Sequence, residues 1–247
     1  MGQPRRVGQA TGARRTRTLS TCALAFYGWT FGSGLPALRA QPALAVQQHS
    51  KARLFPPLDL GLLEGPDRIL WQKPDQIMDA LKIAEGSVVA DLGAGGGWFT
   101  IQLSRRVGPN GRVFAEDIQP QMIEAIGARI QRENLLNVRT VLGSAQDPRL
   151  PRGIDAVVIV DAYHEMEDPV TLLKNVERSL KPQGRVGVVD YNPGGGGPGP
   201  APDERVAPEA VIAAASKAGL QLISQHAIPP FQFLLVFGKG SSSPVTP

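Results

Sequence analysis

Cysteine is nearly absent from this sequence, and the single one, Cys22, lies near the amino terminus. Residues 23–247 therefore have no disulfide, no thiol nucleophile and no cysteine-based zinc site. No cluster of other metal-binding side chains stands out, so no metal is predicted. The chain of 247 residues is long enough for one domain of about 200 residues plus an extension, and a domain of that size can bury a core without crosslinks.

Acidic residues are absent from residues 1–58, which carry eight Lys and Arg. The whole chain has 26 basic and 22 acidic residues, so 18 basic residues remain for positions 59–247, whose net charge is −4. The high sequence pI of about 9.5 thus arises from the extension. Because nucleic-acid surfaces need clustered Lys and Arg, no nucleic-acid partner is predicted.

The first 45 residues have the layout of a targeting signal. An Arg-rich head (residues 5–17) precedes residues 18–38, which carry no charge, and small residues follow over 37–43. This order is typical of a secretory signal, with Arg14-Arg15 as a weak twin-arginine match. It predicts export to a bacterial periplasm without stable membrane insertion after processing. A transit peptide, a single-pass anchor and a plain disordered tail are the alternatives.

Glycine, by contrast, is abundant, and four glycines stand between a β-branched run and an apolar segment in residues 88–100. A strand, a glycine loop and a helix in this order present backbone N–H groups to a nucleotide-like ligand. The dinucleotide fingerprint requires a small residue where Trp98 stands. The carboxylate of Asp91, at the end of the strand, suits a cationic ligand better than a pyrophosphate.

The spacing Asp91-x-Gly93-x-Gly95-x-Gly97 resembles the first motif of class I S-adenosylmethionine-dependent methyltransferases. The cofactor of that family carries a sulfonium and an ammonium. The resemblance implies S-adenosyl-L-methionine as the cofactor and a methyltransferase domain over residues 46–240. The Ser-rich composition of residues 241–247 predicts a disordered tail. Residues 68–74 also resemble a group of bacterial methyltransferase-domain proteins of unassigned substrate. There Trp71-Gln72 is expected either to pack a helix over the sheet edge or to cover the cofactor.

The rest of the pattern predicts an α/β fold, a doubly wound seven-stranded sheet that is mostly parallel and ends in an antiparallel hairpin. Helices are expected to begin at Pro74, Trp98, Pro120, Pro169 and Pro208. Strands are expected to begin at positions 88, 112, 137, 154 and 185, with a turn at 181–184 and a closing pair at 220–224 and 231–237.

The expected cofactor contacts lie at the ends of these strands. Asp117 is predicted to bind the ribose, because Ile-x-Pro after it opens the next helix as in the family, and Glu116 is interpreted as a mere neighbour. Ser144 stands where the family often has an adenine-binding Asp, so backbone contacts are expected there. The full predicted set is Asp91, Gly93, Ala94, Gly95, Gly97, Asp117, Ile118, Ser144, Ala145, Asp161 and Gln72.

Three residues after the fourth strand, Tyr163, His164 and Glu165, are predicted to face a small-molecule acceptor. A His near neutral pKa can take a proton from the acceptor during SN2 methyl transfer. Glu165 is the alternative base, and a purely structural His164 the alternative role. Two other functions remain open, a non-catalytic S-adenosylmethionine-binding module and, less favoured, a nicotinamide-dependent oxidoreductase. The oligomeric state is not predicted.

Nine of the ten residues at 193–202 are Gly or Pro. A mobile loop on the ligand side of the sheet is expected, since this composition forms no packed core. It is interpreted as a dispensable insertion, with an acceptor lid as the alternative.

Overall fold

The computed structural model describes residues 54–240. The predicted targeting segment (1–45) and the predicted tail (241–247) lie outside the described residues. Within residues 54–240, every helix is too short or too polar to cross a membrane.

The described residues form seven strands and six α-helices. The strands are β1 (Val88–Leu92), β2 (Arg112–Asp117), β3 (Val138–Leu142), β4 (Ile154–Val160), β5 (Leu180–Tyr191), β6 (Leu220–Ile228) and β7 (Gln232–Lys239). The helices are α1 (Arg68–Gln72), α2 (Pro74–Ala80), α3 (Trp98–Val107), α4 (Pro120–Glu133), α5 (Pro169–Ser179) and α6 (Pro208–Lys217). Short 3₁₀ helices at Pro57–Glu64 and Tyr163–Glu165 complete the set.

The strands form one sheet in the order β3-β2-β1-β4-β5-β7-β6. The first five pair in parallel, and β7 pairs antiparallel with both β5 and β6. The predicted fold class, a doubly wound mostly parallel sheet with a terminal antiparallel hairpin, is confirmed.

Helices cover both faces of the sheet, as the apolar runs of the central strands require. Ile77 of α2, Leu103 of α3 and Ile126 of α4 are buried against one face. Leu173 of α5 and Val211 of α6 are buried against the other. These helices leave the carboxyl ends of the parallel strands as the open edge of the sheet.

Two strand boundaries differ from the sequence prediction. β5 begins at Leu180, not after a turn at 181–184, because Leu180 already pairs with Ile154. The next pair is Ala156 with Arg185, so β5 advances five residues while β4 advances two, and the extra residues form a bulge. β6 continues to Ile228 because its pairing with β7 extends beyond residue 224.

The connections also explain where a ligand can bind. From β1 the chain proceeds to β2 and β3 on one side of the sheet, and from β4 onward it lies on the other side. In open α/β sheets this reversal leaves a crevice at the carboxyl ends of the strands. The glycine loop after β1 and the segment 161–167 after β4 both lie there.

Candidate active site

The glycine loop after β1 forms one wall of a cavity of about 220 Å³ at the carboxyl ends of the strands. Gly93 and Gly95 have φ angles of 72° and 54°, a conformation that glycine adopts without strain. A Cβ atom on Gly93 would lie 2.7 Å from the Cβ of Ala162. Only glycine therefore lets the loop approach the end of β4 so closely.

Most residues predicted to bind the cofactor line this first cavity. Those that do are Asp91, Gly93, Ala94, Gly95, Asp117, Ile118, Ser144, Ala145 and Asp161. Two predicted residues lie elsewhere. Gly97 is the N-cap residue of α3, and Gln72 is fully buried among other side chains.

Two of these acids hold the loop in place. Asp117 accepts hydrogen bonds from the backbone N–H of Gly95 at Oδ2 (3.0 Å) and of Gln119 at Oδ1 (2.9 Å). Asp91 accepts one from the Thr100 hydroxyl at Oδ2 (2.6 Å). Burial raises the pKa of both carboxyls, that of Asp91 to about 6 despite its hydrogen bond with Thr100. The loop is thus fixed by the same acids that face the cavity.

Glu116 is more than a neighbour of Asp117. It is 2% exposed, lines the cavity and accepts a hydrogen bond from the backbone N–H of Gly93 at Oε2 (3.3 Å). Burial raises its pKa to about 8, although the Gly93 N–H bond lowers it. Sequence reasoning assigned it no role because family motifs mark a single acid at this strand end.

A buried polar network joins Asp161 to residues before and after the motif. Arg68 Nη2 donates to Asp161 Oδ2 and to Gln72 Oε1, each at 3.0 Å. Gln72 donates to Gln232 Oε1 (2.6 Å), and Gln232 donates to Asp161 Oδ1. The Arg68 guanidinium also lies 4.4 Å from the ring centroid of Trp98. Gln72 therefore supports the cavity wall from behind.

Burial raises the pKa of Asp161 to about 6, while the positive charge of Arg68 opposes the rise. Arg68 is the single cationic side chain among the described residues that line the cavity. Seven carboxyl side chains share that lining: Glu64, Asp91, Glu116, Asp117, Asp161, Glu165 and Glu167. The cavity is electronegative as a result.

Residues 54–64, here called the N-terminal strap, close the cavity on one side. The backbone N–H of Phe55 donates to Glu165 Oε2 at 2.9 Å, and Glu64 forms an ion pair with Arg129 of α4. The strap thereby contacts segments that follow β4 and β2. No recognised sequence motif marks the strap, since it lies ahead of the glycine motif.

A second cavity, about 830 Å³, adjoins the first. The two share six lining residues from the strap and from the segment after β4: Leu54, Phe55, Asp161, Glu165, Met166 and Glu167. Tyr163, His164 and Glu165, which the sequence assigns to the acceptor, line this second cavity together.

His164 is held by a residue that sequence reasoning missed. Its Nδ1 lies 3.1 Å from Oδ1 of Asp190, near the end of β5, and its backbone N–H donates to Asp190 Oδ2 (3.1 Å). Asp190 is fully buried. Burial lowers the pKa of His164, but the hydrogen bond and charge of Asp190 raise it more, so the pKa of His164 is raised above its usual value. The signal that the sequence offers for this partner is the apolar strand that ends near Asp190.

The neighbours of His164 have different environments. Nε2 of His164 lies 3.8 Å from Oε1 of Glu165, and burial raises the pKa of that carboxyl. Tyr163 is 4% exposed, and burial raises the pKa of its phenol, so the hydroxyl stays protonated. Burial thus disfavours the ionised form of both side chains.

The Gly/Pro segment 193–202 contributes to the second cavity through Pro198, Gly199 and Pro200. Buried Arg205 donates to the carbonyls of Pro200 (2.9 Å) and Asn192 (3.0 Å). The segment is thus tied back to the end of β5.

Trp71 packs and does not cover a cavity. Its ring centroid lies 6.3 Å from that of Tyr191 and 6.1 Å from that of Phe231, and it lines neither cavity. Of the two interpretations of Trp71-Gln72, the structure matches packing of the helix against the sheet edge.

Comparison with known proteins finds similarity to methyltransferases. Residues 89–184 match a protein family described as a methyltransferase domain. The chain is 31% identical over 122 residues to a demethylmenaquinone methyltransferase of Lactobacillus johnsonii, covering 49% of each chain. It is 34% identical over 118 residues to one of Lactococcus lactis, covering 47% of this chain and 46% of that protein. The chain spans about half the length of the curated relatives it matches.

The fold has a similar counterpart among solved structures. The crystal structure of a SAM-dependent methyltransferase from Aquifex aeolicus superimposes with a TM-score of 0.71 and 24% identity, covering 74% of this chain and 98% of that one. Together with the family match, this confirms the resemblance to class I methyltransferases that the glycine motif indicated.

Proposed function

We propose that this chain, a protein with a class I methyltransferase domain, binds S-adenosylmethionine in the first cavity and transfers its methyl group to a small molecule in the second. The single observation that carries the proposal is the meeting of the two cavities at residues 161–167. There the glycine loop's cavity opens onto a His–Asp pair.

The residues of the first cavity fit this cofactor. The lining has seven carboxyl side chains and one Arg, which suits a ligand with a sulfonium and an ammonium. Asp91 would hold the methionine end with the backbone of the glycine loop, and Asp117 the ribose. Ile118, Ser144 and Ala145 would enclose the base. When bound, the cofactor supplies a methyl group already activated by the positive sulfur.

His164 would act as the general base. The Nδ1–H of His164 would donate to the Asp190 carboxylate, which keeps the proton on Nδ1 and leaves the lone pair on Nε2. A bound cofactor would supply its methyl carbon to the acceptor atom and would keep the electron pair of the broken carbon–sulfur bond on sulfur. The proton that the acceptor loses is taken by Nε2. The protein thus contributes orientation and proton removal.

The acceptor is proposed to be a neutral, quinone-like small molecule. Two relatives that align with this chain over about half of their length are named demethylmenaquinone methyltransferases. The second cavity is large, and its ionisable lining consists of carboxyls, two tyrosines and His164, with Lys and Arg absent among the described lining residues. Such a lining disfavours phosphate-bearing or carboxylate-bearing acceptors.

The test is methyl transfer from isotopically labelled S-adenosylmethionine by the full chain, with reduced 1,4-naphthoquinone and a panel of phenols as acceptors. We expect label in the product and an equal amount of S-adenosylhomocysteine. His164→Ala should lower kcat about 100-fold, the usual contribution of a general base, with the Kd for the cofactor unchanged. His226→Ala, on β6 outside both cavities, is the matched control.

Other results would contradict parts of the proposal. Cofactor binding without transfer, and with no effect of His164→Ala on any bound ligand, supports a binding module. A calorimetric response to NADH with none to S-adenosylmethionine or its demethylated product refutes the proposal outright.

A further inference from the structure

Glu116 carries a buried oxygen atom that nothing in the protein uses. Among residues 54–240, its Oε1 is the one buried side-chain nitrogen or oxygen without a hydrogen-bond partner. Buried polar atoms are nearly always paired, because an unpaired one loses its hydration without compensation. Glu116 also lines the first cavity, so this oxygen is a candidate contact for a ligand bound there.

Oε1 lies close to the backbone of Gly143, directly after β3. A Cβ atom on Gly143 would lie 1.8 Å from Oε1, so residue 143 must lack a side chain while Glu116 holds this position. The next residue, Ser144, does not compete for the ligand. Its hydroxyl donates to the carbonyl of Asp147 (3.2 Å) and accepts from the backbone N–H of Asp147 (3.1 Å). Glu116 therefore has an oxygen without a partner here, whereas the hydroxyl of Ser144 is engaged by Asp147.

The hydrogen bond from Gly93 decides which oxygen carries a proton. Oε2 accepts from the Gly93 N–H, so a proton on the carboxyl resides on Oε1. Burial, together with the smaller effects of the charges of Asp117, Asp91 and Asp147, raises the pKa of Glu116 to about 8 against the Gly93 bond. At neutral pH the group is mostly the neutral acid, which is a hydrogen-bond donor.

The remaining ionisable groups that line the cavity do not obscure the titration of Glu116. They are Glu64, Arg68, Asp91, Asp117, Asp161, Glu165 and Glu167. Arg68 is directed to Asp161 and Gln72, on the β4 side of the cavity. The pKa values of Asp91 and Asp161, about 6, lie well below that of Glu116. Between pH 7 and 9, the ionisation of Glu116 is thus distinguishable from that of Asp91 and of Asp161.

We propose that the Oε1–H of Glu116 donates a hydrogen bond to a ring nitrogen of adenine, which makes Glu116 a specificity-determining residue for the base of the cofactor. The inference rests on the proposed function, since it assumes an adenosine ligand in the first cavity. Adenine ring nitrogens at its edge are acceptors, so they pair with a neutral carboxyl and repel an ionised one.

The experiment measures the Kd of 5′-methylthioadenosine for the full chain by calorimetry from pH 6.5 to 9.5. This probe has the adenosine of the cofactor but no sulfonium and no amino acid, so its own charge stays constant. We expect wild-type affinity to be level near pH 7 and to fall at least about tenfold by pH 9.5, as Glu116 ionises.

Two variants separate binding from structure. Glu116→Gln keeps a neutral donor, with its amide oxygen facing Gly93, so affinity at pH 7 should stay within about threefold and should no longer change with pH. Glu116→Met removes the donor and should weaken binding about tenfold at every pH. Glu209→Gln, an exposed residue of α6, is the control and should titrate like wild type.

Each outcome decides the proposal. Wild-type affinity that is level to pH 9.5, a Glu116→Gln variant that retains the wild-type pH dependence, or a folded Glu116→Met variant with wild-type affinity overturns it. If Glu116→Met does not fold, the pH profiles of wild type and Glu116→Gln still decide. Failure of wild type to bind either this probe or S-adenosylmethionine overturns the proposed function as well, whereas normal binding without pH dependence overturns this inference alone.

Discussion

At the scale of single residues, the site is a group of acids whose protonation is set by burial. Asp91, Glu116 and Asp161 have raised pKa values, which means that the folded protein favours their neutral forms. Their contribution to stability is complete below their unfolded pKa values and is lost as pH rises through the folded ones. A cationic ligand offsets this loss, because it interacts favourably with the ionised forms.

The pair of His164 and Asp190 leads to a prediction about pH. Replacing Asp190 by Asn removes the charge that raises the pKa of His164, so the acidic limb of the kcat profile should move to lower pH. The plateau of kcat should fall about 100-fold, because Nδ1–H loses the carboxylate that orients the ring. Initial rates with saturating cofactor and acceptor from pH 5 to 9 measure both effects.

Glu177→Gln, a carboxyl of α5 outside both cavities, is the control for general loss of charge. An Asp190→Asn variant with the wild-type acidic limb would show that His164 does not titrate in the reaction. A variant that loses cofactor affinity instead of kcat would show that Asp190 acts only on the fold.

At the scale of elements, the contacts of the Gly/Pro segment 193–202 change how its sequence is interpreted. Composition alone favours a dispensable insertion, because no side chains are available to form a core. In the structure Arg205 substitutes for that core by donating to the segment's carbonyls, and its guanidinium lies 5.3 Å from the ring of Tyr191. A Cβ atom on Gly199 would lie 2.5 Å from the same ring, so the segment packs closely on the end of β5. These contacts favour a role as a wall for the acceptor.

Arg205→Met should therefore raise the KM for the acceptor about tenfold and leave the Kd of the cofactor unchanged, because it releases the wall of the second cavity only. Steady-state kinetics over a range of acceptor concentrations, with calorimetry of S-adenosylhomocysteine, separate the two constants. Arg152→Met, an exposed residue before β4, is the matched control. An unchanged KM would favour the interpretation of the segment as a dispensable insertion.

At the scale of the whole molecule, the sheet brings together parts of the chain that are far apart. Asp161 is joined to Arg68 before β1 and to Gln232 at the start of β7, so the cavity wall depends on both ends of the described domain. A ligand in the first cavity should consequently stabilise the domain as a unit and not one loop.

S-adenosylhomocysteine at 100 times its Kd should add about 2.7 kcal/mol to the free energy of unfolding. For a domain of this size the melting temperature should then rise by about 5–10 °C. Scanning calorimetry at several ligand concentrations measures the shift, and NADH at the same concentrations is the control. A shift with NADH alone, or two separate transitions in the presence of ligand, would contradict a single domain built around an adenosine site.

Much of the fold was predictable because its signals are local. The β-branched run before Asp91, the apolar run of β4 and the Pro residues that open α2, α4, α5 and α6 all depend on neighbours within a few residues. The confirmed sheet and hairpin follow from the order of those signals. The start of β5 was missed because its bulge exists only where Leu180 pairs with Ile154.

The sequence by itself determined the fold, the glycine loop with its acids, and the cluster at 163–165, since short-range periodicity and spacing encode them. Only the tertiary structure decided the partner of His164, the free oxygen of Glu116, the supporting place of Gln72 and the position of the strap. Each of these depends on contacts between residues that are distant in the chain, or on how deeply a carboxyl is buried. The spacing of a motif encodes neither the long-range contacts nor the depth of burial. Both arise when the whole sheet and its helices exclude water from the edge where the strands end.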